Sequence, residues 1–504
     1  MKIKIYATSD THGTITPYRY SDYKEMNMGL MKLSSLIHKD EHTLLIDNGD
    51  VLEGSPLDYV HHLKFEDQVH PMAKCFNAMN YDYINLGNHE FNFGKENVWK
   101  YIHDTNAICL TSNLFDNGVC FGKEYVIHEF DENNRIAIVG LTTQYIPNWE
   151  QPKNIVDMTF ENVFDKLKQT VDKIKKNEDV KGILVVYHGG FEKDLESGMP
   201  TENLTGENLG YKMCSEIEGI DVMISGHQHR SIAQFCHDTC VTQTAFNAKE
   251  LAYIEWDLDT NERVAKLISA DCEADETLYP LIEEEEKATQ IYLDQPLGKL
   301  ASGDLLVHDA FEARLHKHPL VSFLNRVQLD FTKADLSSVA LFNDATGFNS
   351  TITMRDLVST YVYPNTLCVV RMNGKTLKEY LEKCAEYFEL TDGKIGVAPR
   401  FLAPKPAHYN YDMVDGVEYT IQVSKPVGSR IISLTRHGIP VKDEDSFTMV
   451  MSNYRAACGG DFFMIKDCEP LMAYQEDMVE CLRQYIEKHP VIEINHQNNI
   501  KIIP

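Results

Sequence analysis

"GNHEFNFG", residues 87–94, follows the apolar run Tyr83-Ile84-Asn85-Leu86, and its reading decides the first half of the chain. A run of strand character that ends on Asn88, His89 and Glu90 puts an amide, an imidazole and a carboxylate at the tip of a buried strand. In open α/β sheets that is where ligands bind, in the crevice beyond the carboxyl ends of the strands. An Asn-His pair alone is equally well a hydrogen-bonded turn, so the reading depends on what the neighbouring strands deliver.

Working outward, β-branched apolar runs cover residues 3–8, 43–46, 135–140, 182–187 and 221–225. Helical spacing covers 30–37, 71–79 and 160–176. Short strands alternating with longer helical patterns predict an α/β layered domain. The strand ends then carry a common chemistry. Asp10-Thr11-His12 follows the first, Asp47-Asn48-Gly49-Asp50 the second, and Asn88-His89 the 83–86 run. His188 and Gly226-His227-Gln228-His229 follow two later ones. Each has an ordinary explanation on its own, since Asp is a common turn former. Donor groups at five strand ends in succession are not ordinary. Carboxylate, imidazole and amide oxygen without thiolate suit Mn, Fe, Zn or Mg. Two such ions about 3.5–4 Å apart, bridged by a carboxylate, can hold a hydroxide and clamp the oxygens of a phosphate ester.

Bulk properties bound the rest. A chain of 504 residues, 43% hydrophobic, calls for two or three domains. Net charge is −28, which argues against a nucleic-acid polymer as partner but not against a small phosphorylated ligand. No run of 18 apolar residues suggests a membrane span. The opening MKIKIYATSD enters a strand at once and lacks the apolar segment and cleavage site of a signal peptide. The expectation is therefore a cytoplasmic protein whose 12 cysteines are mostly reduced. Cys236 and Cys240, flanking His237, suit a metal only loosely. The acidic run Glu283-Glu284-Glu285-Glu286 reads as part of a solvated helix. From about Gly298 the pattern changes to α+β. There "YNYDMVDGVEYTI" (409–421) and "SNYRAACGGDFF" (452–463) combine tyrosines with glycine turns. Paired aromatics can sandwich a base, and Asp461 could accept ribose hydroxyls, although composition alone favours the packed face of a strand.

Asp-x-His, Gly-Asp, Gly-Asn-His-Glu, a lone His and Gly-His-x-His, in that order, resemble the calcineurin-like metallophosphoesterases. The resemblance implies a four-layer sandwich of two sheets flanked by helices, plus a C-terminal α+β nucleotide-binding domain. It implies two divalent metal ions, manganese first, with zinc, iron or magnesium as alternatives. Asp10, His12 and His229 would hold one ion, Asn88, His188 and His227 the other, and Asp50 would bridge them. His89 would face the phosphate and serve the leaving oxygen beside the ligand Asn88. Glu90 would tie down its loop, and Asp47 would stand behind the ligands.

Over its whole length the chain resembles the 5′-nucleotidase family, most of all the 2′,3′-cyclic-nucleotide 2′-phosphodiesterase/3′-nucleotidase branch. The carrying stretches are "GNHEFNFG", "TGENLGY" (205–211), "YPNTL" (363–367), "NYDMVDGVEYTI" and "NYRAACGGDF". The resemblance implies a catalytic domain over 1–274, a linker helix over 275–297, and a substrate-binding domain over 298–504 that rotates against the first. Tyr411 and Tyr454 fall where the family places base-stacking aromatics, and Asp461 where it has a ribose contact. One departure matters. The Asn-Gly-Gly-Gly-Ile-Arg loop of the 5′-nucleotidases is here Asn343-Asp344-Ala345-Thr346-Gly347-Phe348, without the Arg. The implied activity is hydrolysis of nucleoside 2′,3′-cyclic phosphates, then of 3′-nucleotides, by attack of a hydroxide held between the metals. The alternatives are a 5′-nucleotidase or broad nucleotide phosphatase, and a non-catalytic nucleotide-binding protein.

Overall fold

The computed structural model describes residues 1–504 except Asn203, Pro364, Pro404, Lys405 and Gln497, and only the backbone of Gln475. Pro364, within the 363–367 stretch, therefore lies outside the described residues. The chain divides into two compact units, Met1–Gln290 and Ile291–Pro504.

The first unit is built on two six-stranded sheets. One holds β1 (Lys2–Thr8), β2 (Thr43–Asp47), β3 (Tyr83–Ile84) and β4 (Ile108–Cys109). The other holds β5 (Val126–Asp131), β6 (Asn134–Thr142), β7 (Gly182–His188), β8 (Val222–Ser225), β9 (Ile232–Cys236) and β10 (Thr239–Gln243). Two further strands, β11 (Glu250–Asp257) and β12 (Glu262–Ser269), return to the first sheet. The orders are β12-β11-β1-β2-β3-β4 and β9-β10-β8-β7-β6-β5. β1, β2, β3 and β4 run parallel, as do β6, β7, β8 and β10. Thr111, just past β4, bridges Gly140 of β6 in parallel, so both sheets send the carboxyl ends of their central strands the same way, which is what brings the donor loops together.

Side-chain alternation fixes the layering. Ile3, Ile5, Ala7, Leu44 and Ile46 from one sheet share a core with Ile136, Ile138, Leu184 and Val186 from the other. The intervening residues point outward: Tyr6 and Leu45 pack with Met72 and Phe76, and Ala137 and Val139 with Leu167 and Ile174. Strands buried on both faces read as continuous apolar runs, as these do. The result is helix–sheet–sheet–helix, the expected four-layer sandwich. The 160–176 pattern resolves into helix Val163–Asn177, capped by Asn162, whose side chain accepts from the Asp165 amide. Phe160 belongs to the preceding strand Met158–Phe160.

One expectation changes. Helix Tyr279–Leu293 is not uniformly solvated along its acidic run. Ile282, Glu285, Glu286 and Thr289 share its buried face at helical spacing, while Glu283, Glu284 and Lys287 face out. Glu285 pairs with Lys74, and Glu286 accepts from Tyr20 Oη at 2.7 Å, so each buried carboxylate has its partner. Cys236 and Cys240 belong to separate cores, one outside the second sheet and one between the sheets, so they cannot share an ion. All twelve cysteines are free thiols.

The second unit is α+β. A five-stranded sheet orders Asp412–Asp415, Leu336–Ala340, Ser446–Ser452, Thr366–Asn373 and Glu469–Asp477. Helices Pro319–Thr332, Gly374–Ala385 and Met478–Lys488 accompany it. Among the described residues, no helix is long and apolar enough to cross a membrane.

Candidate metal centre

The loops after β1, β2, β7 and β8 converge. Asp10, His12, Asp50 and His229 offer donor atoms all within 4.8 Å of one another, and so do Asp50, His188 and His227. Asp50 is common to both groups. Asn88 joins the second, its Oδ1 lying 2.8 Å from His227 Nδ1. The structure thus brings together all seven residues expected to bind metal, in the two expected sets.

Hydrogen bonds around the imidazoles test whether cations fit. A carbonyl can only accept, so His188 Nδ1, 2.7 Å from the Asn48 carbonyl, carries its proton there. In the neutral ring the buried Nε2 then bears the lone pair; it has no hydrogen-bond partner among the described residues and sits 3.1 Å from Asp50 Oδ2. His12 Nδ1 likewise donates to the Glu53 carbonyl at 2.9 Å, leaving Nε2 facing His229 Nε2 at 3.1 Å. His227 Nε2 donates to Glu207 Oε1 at 2.9 Å, so its Nδ1 lone pair meets the Asn88 oxygen. At His188, His12 and His227 one ring nitrogen is oriented by an oxygen and the other faces a further member of the donor set, as in metal-binding histidines. The donor set fits two divalent cations.

Protein charges alone give the same picture. Burial opposes ionisation of Asp50, but the His188, His89 and His12 charges outweigh it and hold the carboxyl well below the usual range. Burial likewise opposes protonation of His188, yet Asp50 pushes it up to about 9. A site that draws protons this strongly draws divalent ions for the same reason, and bound ions would displace those protons.

The supporting residues are as ordered as the donors. Glu90 is fully buried and accepts from four backbone amides: Asp50, Val51 and Leu52 on one loop and Gly87 on its own. It ties the Asp50 loop to the Asn88 loop. Asp47 stands behind, accepting from Thr8 Oγ1 at 2.7 Å and the Gly49 amide at 2.8 Å. Five donors sit at positive φ: Asp10 at 56°, His12 at 48°, Asp50 at 58°, His227 at 70° and His229 at 56°. For non-glycine residues that backbone costs roughly 1–2 kcal/mol each.

His89 lies at the rim, its side chain 27% exposed. Its amide donates to Asp50 Oδ1 at 2.8 Å, and its Nδ1 lies 2.6 Å from Asn92 Oδ1 and 3.2 Å from Glu53 Oε2. Trp149 stacks on His227 at 5.3 Å. Sequence reasoning passed over Glu53, Asn92, Trp149, Glu150 and Glu207. Asn92 had a local signal, three residues after His89 in the same turn, and Glu207 lies inside "TGENLGY". Nothing local marks Glu150.

In the second unit, Tyr411 departs from expectation. It is 0% exposed, stacked on Tyr387 at 4.8 Å with Phe388 at its edge, so neither ring face is open to a base. Half-buried Tyr409 stands instead beside Tyr454, ring centroids 6.3 Å apart. Asp461 is exposed, with Lys383 Nζ at 3.8 Å. Arg455 is buried and held by Asp412 through two 2.9 Å bonds. Arg400 pairs with Glu386. Arg314 donates to the Leu341 and Phe342 carbonyls, both at 2.9 Å, bracing the entry to the 343–348 loop.

Two sheets delivering paired Asp/His donors to one edge define a metallophosphoesterase, and the calcineurin-like phosphoesterase family matches residues 3–231. The 5′-nucleotidase C-terminal domain family matches residues 298–467. A putative 5′-nucleotidase from Staphylococcus aureus, solved in complex with α-ketoglutarate, is 34% identical, covers 100% of both chains and superposes with a TM-score of 0.90. The chain therefore belongs to the 5′-nucleotidase family of calcineurin-like phosphoesterases, hydrolases that use divalent metals. A 2′,3′-cyclic-nucleotide 2′-phosphodiesterase/3′-nucleotidase from Haemophilus influenzae is 25% identical over 100% of this chain and 87% of its own length. The trifunctional nucleotide phosphoesterase protein YfkN of Bacillus subtilis is also 25% identical over 100% of this chain, which spans 39% of that longer protein.

Proposed function

We propose that this chain hydrolyses nucleoside 2′,3′-cyclic phosphates, and then the resulting 3′-nucleotides, with residues 1–274 as the catalytic domain and 298–504 as the substrate-binding domain. The observation that carries the reading is the pair of donor groups sharing Asp50. Asp10, His12 and His229 would hold one divalent ion, Asn88, His188 and His227 the other. When bound, such ions supply Lewis acidity at the phosphoryl oxygens and an activated water at neutral pH. The chain's own contribution is orientation. Glu90 fixes the Asp50 backbone, while Asn48, Glu53 and Glu207 set the imidazoles. His89 serves the leaving oxygen from the rim. Tyr409 and Tyr454 are the candidates for base stacking, with Asp461 for the ribose.

Preference for the cyclic substrate has two supports. The 343–348 loop lacks the arginine typical of 5′-nucleotidases, and Arg455 is committed to Asp412. Relatives covering nearly the whole chain carry the cyclic phosphodiesterase name. The putative 5′-nucleotidase favours the other reading. Measuring kcat/KM for 2′,3′-cyclic AMP and 5′-AMP side by side with Mn²⁺ decides between them. Higher efficiency on the cyclic substrate is expected, and equal or greater efficiency on 5′-AMP would overturn the proposal.

A further inference from the structure

The loop after β6 reaches the site by a route the donor set does not use. Glu150 is half-buried, and three donors converge on its two oxygens. Asn92 Nδ2 lies 2.7 Å from Oε2. The Gln151 amide and Asn154 Nδ2 lie 2.7 and 2.8 Å from Oε1. Asn154 Nδ2 also donates to the Asn92 carbonyl at 2.9 Å, closing the loop on the His89 turn.

This arrangement settles the Asn92 amide. An ionised carboxylate only accepts, so Nδ2 must face Glu150 and Oδ1 must face His89. An oxygen 2.6 Å from His89 Nδ1 in turn requires a proton on that nitrogen, leaving Nε2 as the nitrogen that points away. Glu53 Oε2, 3.2 Å from the same Nδ1, is a second acceptor on that side and reinforces the same polarity.

We infer that Glu150 is a positioning residue for His89, acting through the side-chain amide of Asn92. The inference rests on the reading of His89 as the group that serves the leaving oxygen. It adds what holds that group: a His–Asn–Glu chain whose far end comes from a different loop. The same loop lays Trp149 on His227, so one segment braces both His89 and a metal-binding histidine.

The substitution E150Q tests the polarity rather than the bulk. Turned one way, the new amide nitrogen meets one donor, Asn92 Nδ2; turned the other way, it meets two, the Gln151 amide and Asn154 Nδ2. The first is less unfavourable, and it forces the Asn92 amide to turn over and present N–H to His89. N92D alone instead sets two carboxylates against each other. The double variant N92D/E150Q satisfies every contact again: the new carboxylate accepts from His89 and from the new amide, whose oxygen keeps the Gln151 and Asn154 bonds.

Kinetics with Mn²⁺ on 2′,3′-cyclic AMP and on bis(p-nitrophenyl) phosphate, which has a good leaving group, read this out, with metal content and thermal melts alongside. E150Q should lower kcat on the nucleotide about 10–100-fold, below the ~10²–10⁴-fold loss expected for removing a general acid, with KM little changed. The loss on the nitrophenyl ester should be under about threefold, because such a leaving group needs little protonation. N92D/E150Q should recover most of the nucleotide activity, outperforming both single variants, which independent sites would not do. Wild-type kcat in E150Q, an equal loss on both substrates, or a double variant no better than N92D would each overturn the inference. If E150Q cannot be purified folded, N92D against N92D/E150Q decides the same point. Wild-type protein inactive on every phosphate ester would instead sink the proposed function.

Discussion

Replacing Glu90 by Gln should damage both stability and metal binding, and the structure gives the size. Oε2 accepts from the Asp50 and Gly87 amides, and Oε1 from the Val51 and Leu52 amides. Whichever way the new amide turns, its NH₂ confronts two buried backbone N–H groups that lose their acceptor. A buried donor left unsatisfied costs about 1–3 kcal/mol, so E90Q should lose about 2–6 kcal/mol, a large share of an ordinary domain's stability. The loop it releases carries Asp50, which is common to both donor groups, so metal content should fall with it. Urea unfolding monitored on the first unit, with metal per chain measured after gel filtration, checks both. E90Q with wild-type stability and two metals per chain would refute the bracing role.

Asp50→Ala should lose activity together with metal, since neither donor group is complete without it; two metals retained per chain would show that Asp50 is not the bridge. Tyr409→Ala and Tyr454→Ala should each weaken nucleotide binding by about 1–3 kcal/mol while sparing a baseless phosphodiester. Tyr411→Ala should instead cost about 3–5 kcal/mol of stability, the price of emptying a buried aromatic site, and a selective loss of nucleotide affinity in that variant would restore its expected stacking role. His61 is held down to about 4 by burial, helped by Lys100 and Lys74. With the folded value depressed, its contribution is present above the unfolded value near 6.5 and is lost as pH falls through 4, worth about 3 kcal/mol. His61→Gln should therefore flatten the acid limb of the stability–pH curve between those values, and an unchanged slope would count against it.

What the sequence made legible was what repeats. The layered fold came from strand and helix periodicities, and the donors from five strand ends obeying one rule, so each strengthened the others. Ranges were less secure: the strand before GNHE pairs only at Tyr83–Ile84, and the first helix stops at Ser34. The supporting residues were illegible for a different reason. Glu150 meets Asn92 across 58 positions, and Glu207 meets His227 across 20, through loops with no periodic pattern. Tyr411 and Tyr409 differ by two positions near the start of a strand, and only the packing of Tyr387 and Phe388 reveals which one is covered. The acidic run misled because composition ignores helical phase: residues 285 and 286 fall on the face that 283 and 284 do not.

Five donors hold a left-handed backbone in which glycine would rest more easily. At Asp10, His12, Asp50, His227 and His229, the residue that suits the fold and the residue that suits the chemistry are different ones. A search for thermostability that scored only folding would be drawn toward glycine or asparagine at these positions, and each gain would come at the expense of the site. The centre is thus where robustness and activity pull in opposite directions. Efforts to harden this scaffold belong in the helical layers and on the exposed faces of the second unit, away from the loops that close on Asp50.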